Sequence, residues 1–140
     1  MAIPFPIELI APTNGTLSGD ADAATIEISI KPFRLGTEEV DAPIVLEEVS
    51  LPSLELSQLA GEELHFPKNP DDGYIDGSFY AVHAHHPVDV TRIKFGEAAD
   101  GTIPTSIDCA FQFAFEGLQN DAGEEYESTA TTLEVILATD

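Results

Sequence analysis

The sequence predicts a mainly β protein. It reads as one domain over residues 1–140, an antiparallel β-sandwich or strongly curved sheet of about seven or eight strands with at most one short helix. Three observations lead there. Several segments alternate apolar and polar residues at period two, the pattern of a strand with one buried face. Ten glycines and ten prolines punctuate the chain, which suits turns and interrupts long helices. Hydrophobic residues make up 43% of the 140 positions, enough for a core without staples, and the single cysteine, Cys109, excludes an internal disulfide.

In chain order, Ile3, Phe5, Ile7 and Leu9 alternate with Pro4, Pro6 and Glu8. This reads as an edge strand, because each proline lacks a ladder donor. Residues 11–24 collect Pro, Asn, Gly, Ser and Asp and read as a long polar loop. Ile26, Ile28 and Ile30 against Glu27, Ser29 and Lys31 form the cleanest half-buried strand of the N-terminal half. A second loop is expected over 36–43. Residues 44–51 are β-rich, although Val45, Leu46, Val49 and Leu51 break strict alternation. Residues 53–64 are the helix candidate, with Ser53 as N-cap, Glu55 favouring the N-terminal dipole and Gly61 as the stop.

The densest turn chemistry lies in residues 66–95. Asn69-Pro70-Asp71-Asp72-Gly73 predicts a type I turn with Asn first and Pro second. Residues 74–85 read as a strand interrupted at Asp76-Gly77, where a bulge or bend is favoured over a hairpin turn. In 88–95 the apolar face switches between Val90 and Ile93, which marks a bulge. Asp100-Gly101 is a hairpin signal. After it, Ile107, Cys109, Phe111, Phe113 and Phe115 share one face of the strongest strand. A polar loop over 117–125 leads to a last strand over 126–137, with Leu133, Val135 and Leu137 on its apolar face.

The charge balance is extreme: 26 acidic against 5 basic residues, net −21. Such a surface repels nucleic acid and anionic membrane and attracts cations or basic proteins. The acidity admits three readings: a solubilising or salt-adapted surface, recognition of a basic partner, or binding of hard cations such as Ca²⁺. Neither Asp71-Asp72-Gly73-Tyr74-Ile75-Asp76 nor Asp20-Ala21-Asp22 keeps the ligand spacing of an EF-hand loop. Arg92 and Lys94 read as one strand face pairing with neighbouring acids rather than a nucleic-acid patch. The apolar start lacks a basic region and is broken by Pro4 and Pro6, a poor signal peptide. No run approaches the roughly 18 apolar residues of a membrane span. A cytoplasmic protein is expected.

His83 and His85, two positions apart in an expected strand, would share a face at a spacing that can chelate Zn²⁺. A third ligand would have to come from His65, Asp76 or Cys109. The plainer reading leaves His83, His85 and His86 half exposed at a strand end before a turn at Pro87, and no metal or cofactor is expected. Cys109, on the phenylalanine-rich face, reads as a small buried hydrophobe rather than a nucleophile. No phosphate loop, nucleophile elbow or Ser/His/Asp pattern occurs, and an enzyme is not expected.

Phe66-Pro67, Asn69-Pro70, Asp72-Gly73-Tyr74-Ile75-Asp76-Gly77-Ser78, Tyr80, His86-Pro87-Val88-Asp89-Val90, Ile93 and Phe95 form one set of motif positions. Phe111, Phe113, Phe115-Glu116-Gly117 and Leu133 extend it. Together they resemble a family of small acidic bacterial immunity-type proteins associated with polymorphic-toxin and type VI secretion loci. The resemblance spans roughly residues 60–137; the first 50 residues carry none of it. It implies a protein that blocks a cognate toxin by binding it, and it assigns no binding residue. The charge suggests where contact would fall: Asp71, Asp72 and Asp76 in loop 69–76, and Asp121, Glu124 and Glu125 in loop 117–125. The rival readings are a non-catalytic ligand- or carbohydrate-binding β-module and a structural protein that self-assembles through strand edges.

Overall fold

A computed structural model describes residues 2–139. In chain order the elements are β1 (Pro12–Asp20), β2 (Ala23–Ile30), β3 (Phe33–Leu35), β4 (Glu38–Val40), β5 (Ile44–Val49), α1 (Leu56–Leu59), β6 (Glu63–His65), β7 (Asp76–Ala81), β8 (Ala84–Phe95), β9 (Thr102–Phe111), α2 (Phe113–Glu116) and β10 (Thr129–Thr139). The expectation of a mainly β chain holds. The expected sandwich or open curved sheet does not. Strands run in the order β8-β7-β5-β2-β1-β10-β9, and β9 pairs back onto β8, closing a barrel of seven strands. Every pairing in this ring is antiparallel except β1 with β10, which is parallel. β6 continues the β7 edge of β8, pairing at Arg92–Lys94 after β7 has left at Val88. β3 and β4 form a separate two-stranded hairpin.

Closure depends on a strand that composition hides. Residues 11–24 are not a loop: Pro12–Asp20 is β1, held between β2 and β10. Its inward positions are Gly15 and Leu17, so only one apolar side chain marks its inner face and no alternation is visible. Gly15 leaves room there: a Cβ would stand 2.6 Å from Leu137 Cδ2, whose tip would have to shift, and 3.1 Å from the Glu27 carbonyl. Conversely, the expected edge strand over 3–9 is reduced to one bridge between Ile3 and Tyr126, followed by a 3₁₀ turn at Ile7–Leu9.

The strands fill the barrel by alternation. Ile26, Ile28 and Ile30 of β2, Ile44 and Leu46 of β5, Ile103, Ile107 and Phe111 of β9, and Leu133, Val135 and Leu137 of β10 are all buried. Leu133 lies opposite Ile107 and Leu137 opposite Ile103, so the two strands contribute to the same layers. The face switch expected in residues 88–95 is a bulge: Val90 pairs with Cys109 and Arg92 with Asp108, leaving Thr91 extra. The irregularity expected in β5 falls at Glu48, which has φ 59° where the β2 register shifts. Asp100-Gly101, with φ 55° and 78°, forms the expected hairpin tip between β8 and β9.

Other local expectations change. The helix candidate shrinks to Leu56–Leu59; Glu55 stands at its N-cap, and Ser53 Oγ accepts the Glu55 N–H at 3.0 Å instead of capping the helix. Gly61, at φ 80°, follows its end. A second short helix, α2, interrupts the expected strand 107–116 after Phe111, so there are two where at most one was expected. The turn at Asn69-Pro70 places Pro70 third, after a cis peptide bond, with the Asp71 N–H donating to the Lys68 carbonyl at 2.8 Å. Pro87 lies inside β8 rather than at a turn. Its carbonyl accepts from Gln112 N–H at 2.9 Å, on the β9 side. The missing N–H points the same way, beyond the first β8–β9 pair at Val88 and Phe111, so the β7 ladder loses nothing.

Asp76-Gly77 is neither turn nor bulge but the start of β7. Gly77 faces inward, and a Cβ would collide with the Val88 carbonyl and press on Leu46. Backbone cannot rotate away as a side-chain tip can. We therefore expect Gly77→Ala to destabilise the fold by about 1–3 kcal/mol. Urea unfolding measures this, and an unchanged midpoint would contradict the packing described.

Candidate functional site

One end of the barrel, where β8 begins and β9 finishes, is plugged by aromatic rings. Phe79 from the interior meets Phe111 edge to face at 5.7 Å, and Phe111 stacks on Phe113 at 5.6 Å. Phe113 then stacks on Phe5 at 4.3 Å, and Phe5 meets Tyr126 at 5.3 Å. This column explains why β9 stops. Phe113 turns over the mouth as the buried residue of α2, and Gly117 ends the helix in the left-handed region at φ 71°. The same turn carries Phe115 outward, where it is 74% exposed, instead of sharing the inner face with Phe111.

Beside the plug lies a cleft of about 320 Å³ between the β3–β4 hairpin, the β7–β8 turn and the segment after α2. Glu38, His83, His86, Glu116, Asn120 and Asp121 are among its polar lining residues. Asn120 orders the segment: its Oδ1 accepts from the N–H groups of Ala122 and Glu124, both at 2.9 Å, and its Nδ2 donates to Glu124 Oε1 at 3.0 Å. The Asp121 carboxylate rests against Gly36, where a Cβ would stand 2.5 Å from Oδ2. Val82 and His83 form the β7–β8 turn with φ 49° and 68°. A two-residue hairpin favours such angles, but a β-branched valine tolerates them poorly, at a cost of order 1–3 kcal/mol.

His86 is the inward residue of β8 nearest this mouth, opposite Phe79 and 1% exposed. Its Nε2 lies 3.0 Å from the Ala81 carbonyl, and its ring meets Phe113 edge to face at 5.7 Å. Because a carbonyl only accepts, Nε2 carries the proton. Nδ1 is then a lone pair, and it has no partner among the described residues. An unmet buried acceptor costs about 1–3 kcal/mol. Burial pushes the His86 pKa below its ordinary value, against opposing pulls from the Ala81 carbonyl and Glu116.

The histidines do not assemble as a metal pair. His83 stands in the turn, not in a strand, and reaches Glu38 at 3.2 Å. His85 points outward from β8 and packs on Tyr80 at 4.9 Å. The two therefore do not share a strand face. His65 pairs with Glu63 at 3.0 Å, Asp76 opens β7, and Cys109 faces the barrel interior. No group of three or more His, Cys, Asp or Glu among the described residues is arranged to hold a metal. Cys109 is 4% exposed, and burial pushes its thiol up to about 12.

Asp71, Asp72, Asp76, Asp121, Glu124 and Glu125 are all exposed, and none forms a salt bridge among the described residues. Their two loops flank α2. Phe115 lines a hollow with Asn69, Tyr74 and Asp76 on one side, and Glu116 lines the cleft with Asp121 on the other. Sequence reading missed Phe115 as a surface residue because period two put it on the inner face with Phe111, and missed His86 as a buried polar one because it was read as half exposed at a strand end before a turn at Pro87. Arg92 behaves as expected, contacting Glu63 and Asp108 at 3.3 Å each, and Lys94 reaches Glu63 at 4.0 Å. The Arg92 guanidinium holds the Glu63 carboxyl below its usual range. Among the described residues, no helix is long and apolar enough to cross a membrane. Comparison with protein-family models, curated proteins and solved structures finds no match.

Two outcomes follow from the buried groups. An unfolded histidine titrates near 6.5, whereas folded His86 resists protonation. Its contribution is therefore complete above pH 6.5 and is lost as pH falls below it. Relative to His86→Leu, the wild type should lose up to about 1.4 kcal/mol per pH unit on acidification from 6.5; parallel stability profiles would show an undepressed histidine. Cys109, with roughly one thiolate in 10⁴ at pH 8, should react with a disulfide reagent only at the rate of unfolding. Rapid labelling of the native protein would contradict its burial.

Proposed function

We propose that the protein is an immunity-type inhibitor that binds and neutralises a cognate bacterial toxin with a basic surface, acting in the cytoplasm without catalysis of its own. The observation that carries this reading is an uncompensated acidic surface around an exposed aromatic. Of 5 basic residues against 26 acidic ones, Arg34, Arg92 and Lys94 are already engaged with Glu39, Glu63 and Asp108. Phe115 stands exposed between the two acidic loops. Aromatic side chains in desolvated pockets dominate interface energetics, while surrounding charges govern encounter rate and partner choice. The motif set over roughly residues 60–137 supports the same class.

The self-assembly reading keeps one physical basis: β10 pairs with β1 only over Leu137–Thr139, which leaves residues 129–136 with no ladder partner on that side among the described residues, whereas β6 and the β3–β4 hairpin are short edges.

Co-expression with the product of the adjacent gene tests the proposal: that product should arrest growth, the protein should rescue it, and a complex should co-purify. In that complex, Phe115→Ala should raise Kd by about 30-fold. Neutralising Asp71, Asp72, Asp76, Asp121, Glu124 and Glu125 together should slow association at least tenfold at low salt, with little effect at high salt. Absence of rescue with well-folded protein would end the inhibitor reading, and an unchanged association rate would remove these loops from the interface.

A further inference from the structure

β10 carries a free edge, and neighbouring hydrogen bonds fix which of its backbone groups lie on it. The strand pairs with β9 from Thr129 to Ala138 but with β1 only over Leu137–Thr139, so residues 129–136 have no ladder partner on the β1 side among the described residues. On an antiparallel strand the N–H and C=O of one residue point the same way, and successive residues alternate. The Pro104 carbonyl accepts from the Gly96 N–H at 2.8 Å, and the Gln112 N–H donates to the Pro87 carbonyl at 2.9 Å, both on the β8 side of β9. Even-numbered residues of β9 therefore point at β8, and the odd-numbered ones bond β10. Ala130, Thr132 and Glu134 lie opposite Ala110, Asp108 and Ser106, so their N–H and C=O groups point away from β9, onto the free edge.

Donors and acceptors that recur at every second residue are matched by another extended backbone rather than by a small molecule or a helix. The devices that usually guard a free edge are missing, since residues 129–136 contain no proline, lysine or bulge. Their outward side chains are Ala130, Thr132, Glu134 and Ile136, the last 53% exposed. Lys68 borders the row at Ala130 and Thr132. Glu134 accepts from the neutral Ser106 hydroxyl at 2.6 Å, which leaves the other end of the row acidic.

We propose that an extended basic segment of the protein partner adds to this edge as a further strand, with a lysine or arginine beside Glu134 and an apolar side chain on Ile136. Charge decides against a second copy of this chain as the occupant. A copy would bring net −21 against −21, and its own row holds no base to set beside Glu134. The proposal rests on the inhibitor reading for the partner's identity, and on the edge alone for the mode of docking. Ser128, just before the row, lines a hollow together with Phe115, so the added strand and the aromatic anchor belong to one interface.

Amide exchange read by NMR tests the edge. In the free monomer Ala130, Thr132 and Glu134 should exchange quickly, while Thr131, Leu133 and Val135, bonded to β9, are protected. The hexapeptide Ac-Thr-Val-Thr-Lys-Thr-Val-NH₂ at millimolar concentration should protect the three free amides saturably. Its Lys→Glu analogue should bind at least about fivefold more weakly at low salt. Thr132→Pro removes one free N–H without touching the β9 ladder and should weaken peptide binding at least about tenfold. Thr132→Ala loses the same hydroxyl but keeps the N–H, and should stay within about twofold. Glu134→Lys, a surface change, should reverse the preference between the two peptides.

Protection of Ala130, Thr132 and Glu134 in the free monomer would mean a covered edge and overturn the proposal. So would a peptide that binds Thr132→Pro as well as the wild type, and so would the absence of any peptide binding. A concentration-dependent dimer abolished by Thr132→Pro would overturn the basic segment by making the occupant a second copy. Peptide binding, with neither growth arrest by the adjacent gene product nor a complex with it, would remove the inhibitor reading and leave the edge site. A complex with that product that is indifferent to Thr132→Pro, with silent peptides, would do the reverse.

Discussion

Parallel pairing of the first and last long strands is the constraint on which the rest of this structure depends. Gly15, Thr16 and Leu17 of β1 lie beside Leu137, Ala138 and Thr139 of β10. Without that contact, β1 and β10 would both be open edges, and the sheet would remain the curved antiparallel surface that its hairpins alone would build. Barrel closure through these three residue pairs joins the two edges and encloses one interior. It also demands close approach, and Gly15 provides it by having no side chain where Leu137 packs.

A closed ring of seven strands has two mouths that must be covered. At one of them the chain spends Phe5, Phe113 and Tyr126, and the plug in turn decides what the surface displays. Once Phe113 folds over the opening, Phe115 must leave the inner face, and Glu116 and the following segment are brought against the β3–β4 hairpin. The strained Val82-His83 turn and the half-satisfied His86 sit at the same mouth. The β-branched residue with positive φ and the buried side-chain atom without a partner among the described residues thus share one mouth, while Glu48 and Asp100 carry positive φ elsewhere. Rigid barrels commonly carry their variable chemistry in this way, on the loops at one end.

Acidity and packing are separate in this molecule. The buried set is almost wholly apolar, with His86 and Thr105 the polar exceptions among the described residues, and Thr105 Oγ1 donates to the Ile103 carbonyl at 3.1 Å. The charge is therefore a property of the outer surface and costs the core nothing. Much of it was legible beforehand: the acidic loops 69–76 and 117–125 are exposed, and Arg92 and Lys94 are paired with acids. What was not legible is that one helical turn brings both loops to either side of Phe115. That relation joins residues more than forty positions apart and follows from the β8–β9 register rather than from any local pattern.

Sequence by itself determined the strands whose inner faces carry two or more large apolar residues: β2, β8 from Val88 onward with its bulge, β9 as far as Phe111, and β10. Their signal is local, because side-chain period and turn chemistry depend on neighbours within a few residues. Tertiary structure alone decided the rest. β1 is a strand because partners on both sides hold it, although Gly15 and Leu17 are its only buried positions. His83 and His85 part company because Val82 and His83 turn the chain where alternation would have carried it on. Phe115 is outside and His86 inside because the barrel mouth admits one ring from α2 and needs an inward residue opposite Phe79. Each of these outcomes is a contest for buried space between segments far apart in the chain, and a single segment carries no record of who its competitors are.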